Sequence, residues 1–161
     1  MKIFPHNFNP QSNSGPNKFT RQLFTCMSKN YGIGFTSSQQ EADVEFCLIQ
    51  QQAHKVKPML LRLDGIYFNS EQDYNTQNAP IKFAYDNADA VVFQSNFNKR
   101  LTEHWFGGGE HKNSHIIHNA PDNHFIASVK EKIKLIGDRE IWSCASSWRP
   151  HKRLRENIRY F

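Results

Sequence analysis

The sequence predicts an α/β fold in which a parallel sheet is flanked by helices, and three observations carry that expectation. Short runs of strand length alternate with segments whose apolar residues recur at helical spacing. One run, Ala90-Val91-Val92-Phe93, is apolar throughout and lies between an acidic turn and a polar one, the pattern of a strand buried on both faces. Gly, Pro, Asn and Asp punctuate the chain between these segments, without internal repeats or low-complexity tracts.

Taken in order, Lys2-Ile3-Phe4-Pro5 opens as a short strand and residues 7–17 form a polar loop. Pro16 suits the first turn of a helix, where its missing N–H costs nothing, and Phe19, Leu23, Phe24 and Met27 continue that helix. Residues 32–35 read as a second short strand, and residues 44–49, following Asp43, as a central one. Pro58 precedes the strand Met59-Leu60-Leu61-Arg62-Leu63, which ends at Asp64-Gly65. A polar loop over residues 69–78 leads to a helix expected from Pro80 to Ala88, with Ile81, Ala84, Tyr85 and Ala88 on one face. After Ala90-Val91-Val92-Phe93, Ser95 or Asn96 caps a helix that carries Phe97, Leu101 and Trp105 and stops at Gly107-Gly108-Gly109. Ile116-Ile117-His118 reads as one more strand, and the charged, irregular stretch that follows reads as a linker.

A chain of 161 residues has room for one ordinary domain and part of a second. Its 38% hydrophobic and 22% charged residues are those of a globular protein rather than a disordered one. No apolar run approaches the roughly 20 residues of a membrane span, and MKIFPHNFNP lacks the apolar core of a signal peptide, so a cytoplasmic location is expected. Cys26, Cys47 and Cys144 lie far apart and read as reduced thiols rather than a zinc or disulfide framework. His104, His111, His115 and His118 lack a two-histidine helical motif, and no metal is expected. The net charge of +5 favours acidic partners, with Arg149, Lys152, Arg153, Arg155 and Arg159 crowded near the end.

Ligands of open parallel sheets bind at the carboxyl ends of the strands, which singles out four stretches. Asn13-Ser14-Gly15-Pro16 precedes a helix, where backbone N–H groups favour an anion and a glycine admits close approach; it reads equally as a simple helix cap. Asp64 follows a strand directly and can orient a sugar hydroxyl or take its proton, or can cap the turn after it. Gln94-Ser95-Asn96 and His118-Asn119-Ala120-Pro121 complete the edge. Beyond the linker, Arg149 and Lys152 offer a fork and a point charge suited to a diphosphate, or simply a solvated basic face.

In sequence, SGPNKFTRQL, NADAVVFQSNFNKRL, HIIHNAPD and SSWRPHKRL resemble four segments of the retaining glycosyltransferases of family 4. That resemblance implies the GT-B fold of two facing Rossmann-like domains. Residues 1–125 would be the acceptor-side domain, 126–138 a linker, and 139–161 the first strand and helix of an incomplete donor-binding domain. It further implies a nucleotide-diphosphate sugar as donor and a hydroxyl acceptor that is a glycan, a lipid-linked sugar or another alcohol, with no cofactor or metal. Asp64 is then the catalytic candidate, Gly15, Arg149 and Lys152 the donor-diphosphate ligands, and Ser14, Ser95 and Asn119 the cleft lining. The sequence departs from the family in carrying Asp64 where many members carry histidine. The family's acidic pair, further along, falls after Phe161, so the chain by itself is expected to have little transferase activity. Two rival expectations stand beside this one: a non-catalytic sugar- or nucleotide-binding module, and a basic protein that contacts a membrane surface or nucleic acid. A peripheral membrane contact is compatible with the preferred reading, which expects no specific nucleic acid.

Overall fold

The computed structural model describes residues 1–107, 113–120, 127 and 154–160. The chain forms two compact units, Met1–Ala120 and Pro121–Phe161. In the first, β1 (Lys2–His6), β2 (Gly34–Phe35), β3 (Val44–Leu48), β4 (Met59–Leu63), β5 (Ala90–Phe93) and β6 (Ser114–Ile116) form one sheet in the order β2-β1-β3-β4-β5-β6. Every pairing is parallel. The helices are α1 (Gly15–Tyr31), α2 (Tyr74–Asn87) and α3 (Asn96–Phe106). This is the expected α/β, Rossmann-like arrangement. In the second unit the structure describes α4 (Leu154–Tyr160); the expected strand before it, and the turn carrying Arg149 and Lys152, lie outside the described residues.

Alternation along the strands divides the core in two. Met59, Leu61 and Leu63 of β4 join Val91 and Phe93 of β5, Ile81, Ala84 and Tyr85 of α2, and Phe106 of α3. On the other face Leu60 packs with Ile3, Phe46, Leu48 and Phe24, with Leu23 and Met27 of α1 over them. The continuous apolar character of β4 thus has a direct cause, since its residues pointing either way meet a layer of protein.

Three expectations shift. The helix expected at Pro80 begins six residues earlier at Tyr74, because Asp73 caps it, its Oδ1 accepting from the Thr76 N–H at 3.1 Å. Pro80 therefore sits inside the helix, where its ring has no N–H to offer the preceding turn. On α3 the buried stripe is Asn98, Thr102 and Phe106, while Phe97 and Trp105 are exposed. The cap fixes that phase: Ser95 Oγ accepts from the Asn98 N–H at 3.1 Å, and Asn98 Nδ2 reaches inward to the Leu63 carbonyl at 2.9 Å. Finally, β6 spans Ser114–Ile116, so Ile117 and His118 lie past its end and are exposed.

The connection from β3 to β4, residues 49–58, contains no helix. Glu45 holds it instead. Fully buried, Glu45 accepts from Val56 N at 2.7 Å and Lys57 N at 2.9 Å on one oxygen. Its other oxygen receives His6 Nε2 at 2.6 Å and Gln39 Nε2 at 3.3 Å. The Gln52 N–H approaches His6 Nδ1 at 3.4 Å, so the ring donates to Glu45 through Nε2. Burial works to raise the Glu45 pKa, but the hydrogen bonds from His6, Val56, Lys57 and Gln39 outweigh it and hold the carboxyl below its ordinary value.

Candidate functional site

From β1 the chain crosses by α1 to β2 on one side, and from β2 it returns past β1 to β3 on the other. The order therefore reverses between β1 and β3, the place where a crevice opens at the carboxyl edge of such sheets. Both strands end there in left-handed backbone, at Asn7 (φ 53°) and Ile49 (φ 68°). Asn7 Nδ2 ties the two ends together by donating to the Leu48 carbonyl at 3.0 Å. At Ile49 the Gln50 N–H returns to the Leu48 carbonyl at 2.8 Å, a tight γ-turn that a β-branched residue adopts only under strain. Such strain is held where the surrounding structure dictates it, and it concentrates at functional sites.

Beside this point lies a cavity of about 450 Å³, walled by Pro16 of α1, Ile49 and Gln50 beyond β3, Asp64 and Tyr67 beyond β4, and Gln77 of α2. Gly65 gives the chain its turn away from the site: its φ of 154° suits glycine alone. Among the described residues, neither the Gln50 nor the Gln77 side-chain amide has a hydrogen-bond partner.

Four side chains close a ring at the edge. Arg62 Nη1 donates to Asp64 Oδ1, and Gln94 Nε2 donates to the same oxygen. Asn119 Nδ2 donates to Gln94 Oε1 at 3.1 Å, and Arg62 Nη2 donates to Asn119 Oδ1 at 2.8 Å. Arg62 is buried, with its guanidinium carbon 3.8 Å from the centre of the Phe19 ring on α1. Burial pushes its pKa down, and the Asp64 charge opposes that. His118 Nδ1 adds a hydrogen bond to the Gln94 carbonyl at 2.8 Å. Asp64, with 26% of its side chain exposed, is thus fixed through one oxygen, while Oδ2 has no partner among the described residues.

The structure therefore brings Asp64 and Asn119 together and places Pro16, the neighbour of Gly15, on the same cavity. A Cβ at Gly15 would meet nothing within 4 Å, so no protein contact demands a glycine there. Ser14 precedes α1 without capping it; its Oγ instead accepts from Asn17 Nδ2 at 2.9 Å. The Ser95 hydroxyl is committed to its own helix. Arg149 and Lys152 lie outside the described residues. Arg62 and Gln94, which organise the site, both stand in strand-end stretches that the sequence marks, and a charged residue inside a buried strand is itself a signal.

Among the described residues, no three His, Cys, Asp or Glu side chains gather as they would to hold a metal ion. No helix among them is long and apolar enough to cross a membrane. In comparison with known proteins, the chain matches no family model and no curated protein sequence.

Proposed function

We propose that this chain is the acceptor-side domain of a GT-B-type glycosyltransferase, which moves a sugar from a nucleotide-diphosphate sugar to an acceptor hydroxyl. The observation that carries the reading is Asp64, anchored through Oδ1 by Arg62 and Gln94 with Oδ2 unpartnered among the described residues, on a cavity beside the switch point of a parallel sheet. An anchored carboxylate with one open oxygen receives a hydroxyl in a fixed direction, and orientation of that kind is a large part of catalysis. Leaving-group charge on the donor falls to the Gly15 end of α1 at this edge and, as the resemblance implies, to Arg149 and Lys152.

The reaction is tested by acceptor-dependent release of nucleoside diphosphate from UDP-, GDP- or ADP-sugars, with a donor-side domain present on the same chain or added. Asp64→Asn is expected to lower turnover by about 100-fold while the protein stays folded. Release that ignores the acceptor, or an unchanged rate in Asp64→Asn, refutes the assignment.

One feature favours the binding-module alternative. Asp64 Oδ1 is held by two donors, the Arg62 guanidinium and the Gln94 amide, and a carboxylate fixed in this way receives a hydroxyl's hydrogen bond without any transfer step. Saccharide binding lost in Asp64→Asn, without sugar transfer under any donor, would establish that alternative.

A further inference from the structure

Beyond β4 the chain exposes aromatic side chains that the core does not need. Tyr67 is 44% exposed, Phe68 52% and Phe97 65%. Phe68 and Phe97 meet edge to face, with ring centres 6.3 Å apart and planes at 71°, which leaves ring faces open to solvent. Each ring is carried on backbone that a buried asparagine holds. Asn78 Oδ1 accepts from the Tyr67 N–H at 2.9 Å, and Asn78 Nδ2 donates to the Tyr67 carbonyl at 2.6 Å. Next to Phe97, Asn98 is buried and donates to the Leu63 carbonyl. Two buried amides thus fix the two segments that bear these three rings.

The electrostatics of the surroundings choose the occupant. Residues 64–73 include Glu71 and Asp73 besides the ion-paired Asp64 and contain no Lys or Arg, so phosphate-bearing lipid or nucleic acid would meet net negative charge along this segment. The cavity beside Tyr67 offers the amides of Gln50 and Gln77 and Oδ2 of Asp64, none of which has a partner among the described residues. Aromatic faces beside amide and carboxylate groups fit a molecule with an apolar C–H face and a rim of hydroxyls, which is a pyranose. The distribution of polar groups and rings, hydroxyl readers in the cavity and stacking faces outside it, fits more than one sugar unit.

We propose that Tyr67, Phe68 and Phe97 form a stacking platform for a neutral oligosaccharide whose terminal sugar enters the Asp64 cavity. This rests on the reading of that cavity as an acceptor site and names the acceptor class as a glycan chain. The test is an array of defined neutral, sulfated and phosphorylated glycans probed with the 161-residue chain, followed by calorimetry on the best ligand and its shorter forms. Neutral oligosaccharides are expected to bind better than their monosaccharides. Phe68→Ala and Phe97→Ala, checked for folding by thermal melting, are expected to weaken the oligosaccharide about tenfold and leave the monosaccharide unchanged, whereas Asp64→Asn weakens both. Binding confined to anionic glycans or anionic vesicles, binding to no glycan, or equal affinity in the two Phe variants overturns the platform. So does a wild-type dimer that Phe97→Ala dissociates. Equal affinity in the Phe variants together with a strong Asp64→Asn effect removes the platform and leaves the cavity reading in place. Intact array binding without nucleotide-sugar turnover removes the transfer reaction and leaves the platform.

Discussion

Asp64 was legible from its place after a hydrophobic strand and before a glycine, because strand ends in parallel sheets are where ligands meet protein. Its partners stand in strand-end stretches that the sequence also marks, but their bonding to one another was not legible, since Arg62, Gln94 and Asn119 are brought together by the pairing of β4 with β5 and β5 with β6 rather than by local pattern. At the first turn of α1 the empty space around Gly15 makes a prediction. Gly15→Ala should leave the fold intact and raise stability by up to about 1 kcal/mol through helix propensity, as read from urea melts. A matching loss of donor affinity would then report ligand approach, whereas a destabilised variant would show that the glycine serves the fold. The two described cysteines differ sharply. Burial, with the Glu45 charge behind it, pushes the Cys47 thiol up to about 12, while Cys26 is exposed on α1. Alkylation at pH 8 followed by peptide mass spectrometry should find Cys26 modified in the native protein and Cys47 only after unfolding, since the thiolate is the reactive form. Native modification of Cys47 would contradict its burial.

The starts of α1 and α3 were readable from Pro16 and Ser95, and that of α2 was not. The apolar runs of β3 and β4 announce themselves because both faces are covered. Asp73 outcompetes Pro80 as the marker of a helix start, since a cap that satisfies a free N–H can recruit turns ahead of a proline whose fixed φ is itself helical. On α3, two aromatic residues suggested an inward stripe, but the geometry of the Ser95 cap and the inward bond of Asn98 turned that stripe outward. The helix-free connection from β3 to β4 was unforeseen, because nothing in the spacing of Glu45 reveals that it receives two loop N–H groups. Its depressed pKa sets a pH dependence. The stabilisation is present in full above the ordinary value of 4.5 and is lost as pH falls through the lower folded value. Glu45→Gln should cost about 3 kcal/mol at pH 7, and its stability should vary less than wild type's below pH 4.5. Parallel acid profiles for the two proteins, from denaturant melts at each pH, would rule this out.

In the molecule as a whole, the first unit was predictable in architecture. What tertiary pairing alone supplies is the hydrogen-bonded ring that joins the carboxyl ends of β4 and β5 to the segment after β6. Arg62→Met keeps much of the stem's packing but removes every donor, so Asp64 and Asn119 lose their shared anchor. It should cost about 2–4 kcal/mol by thermal or urea unfolding, and it should abolish glycan binding even at temperatures where the variant is fully folded. Unimpaired binding in the folded variant would mean that the ring is scaffolding alone. The ring also has a direction. A guanidinium can only donate, so Asn119 must turn its oxygen to Arg62 and its nitrogen to Gln94, and Gln94 must then turn its nitrogen to Asp64. No amide in the circuit can flip alone. Among diverging descendants of this sequence, these four positions would accordingly change together or stay as they are, and a lineage that lost Arg62 would be expected to have lost the acid at position 64 with it.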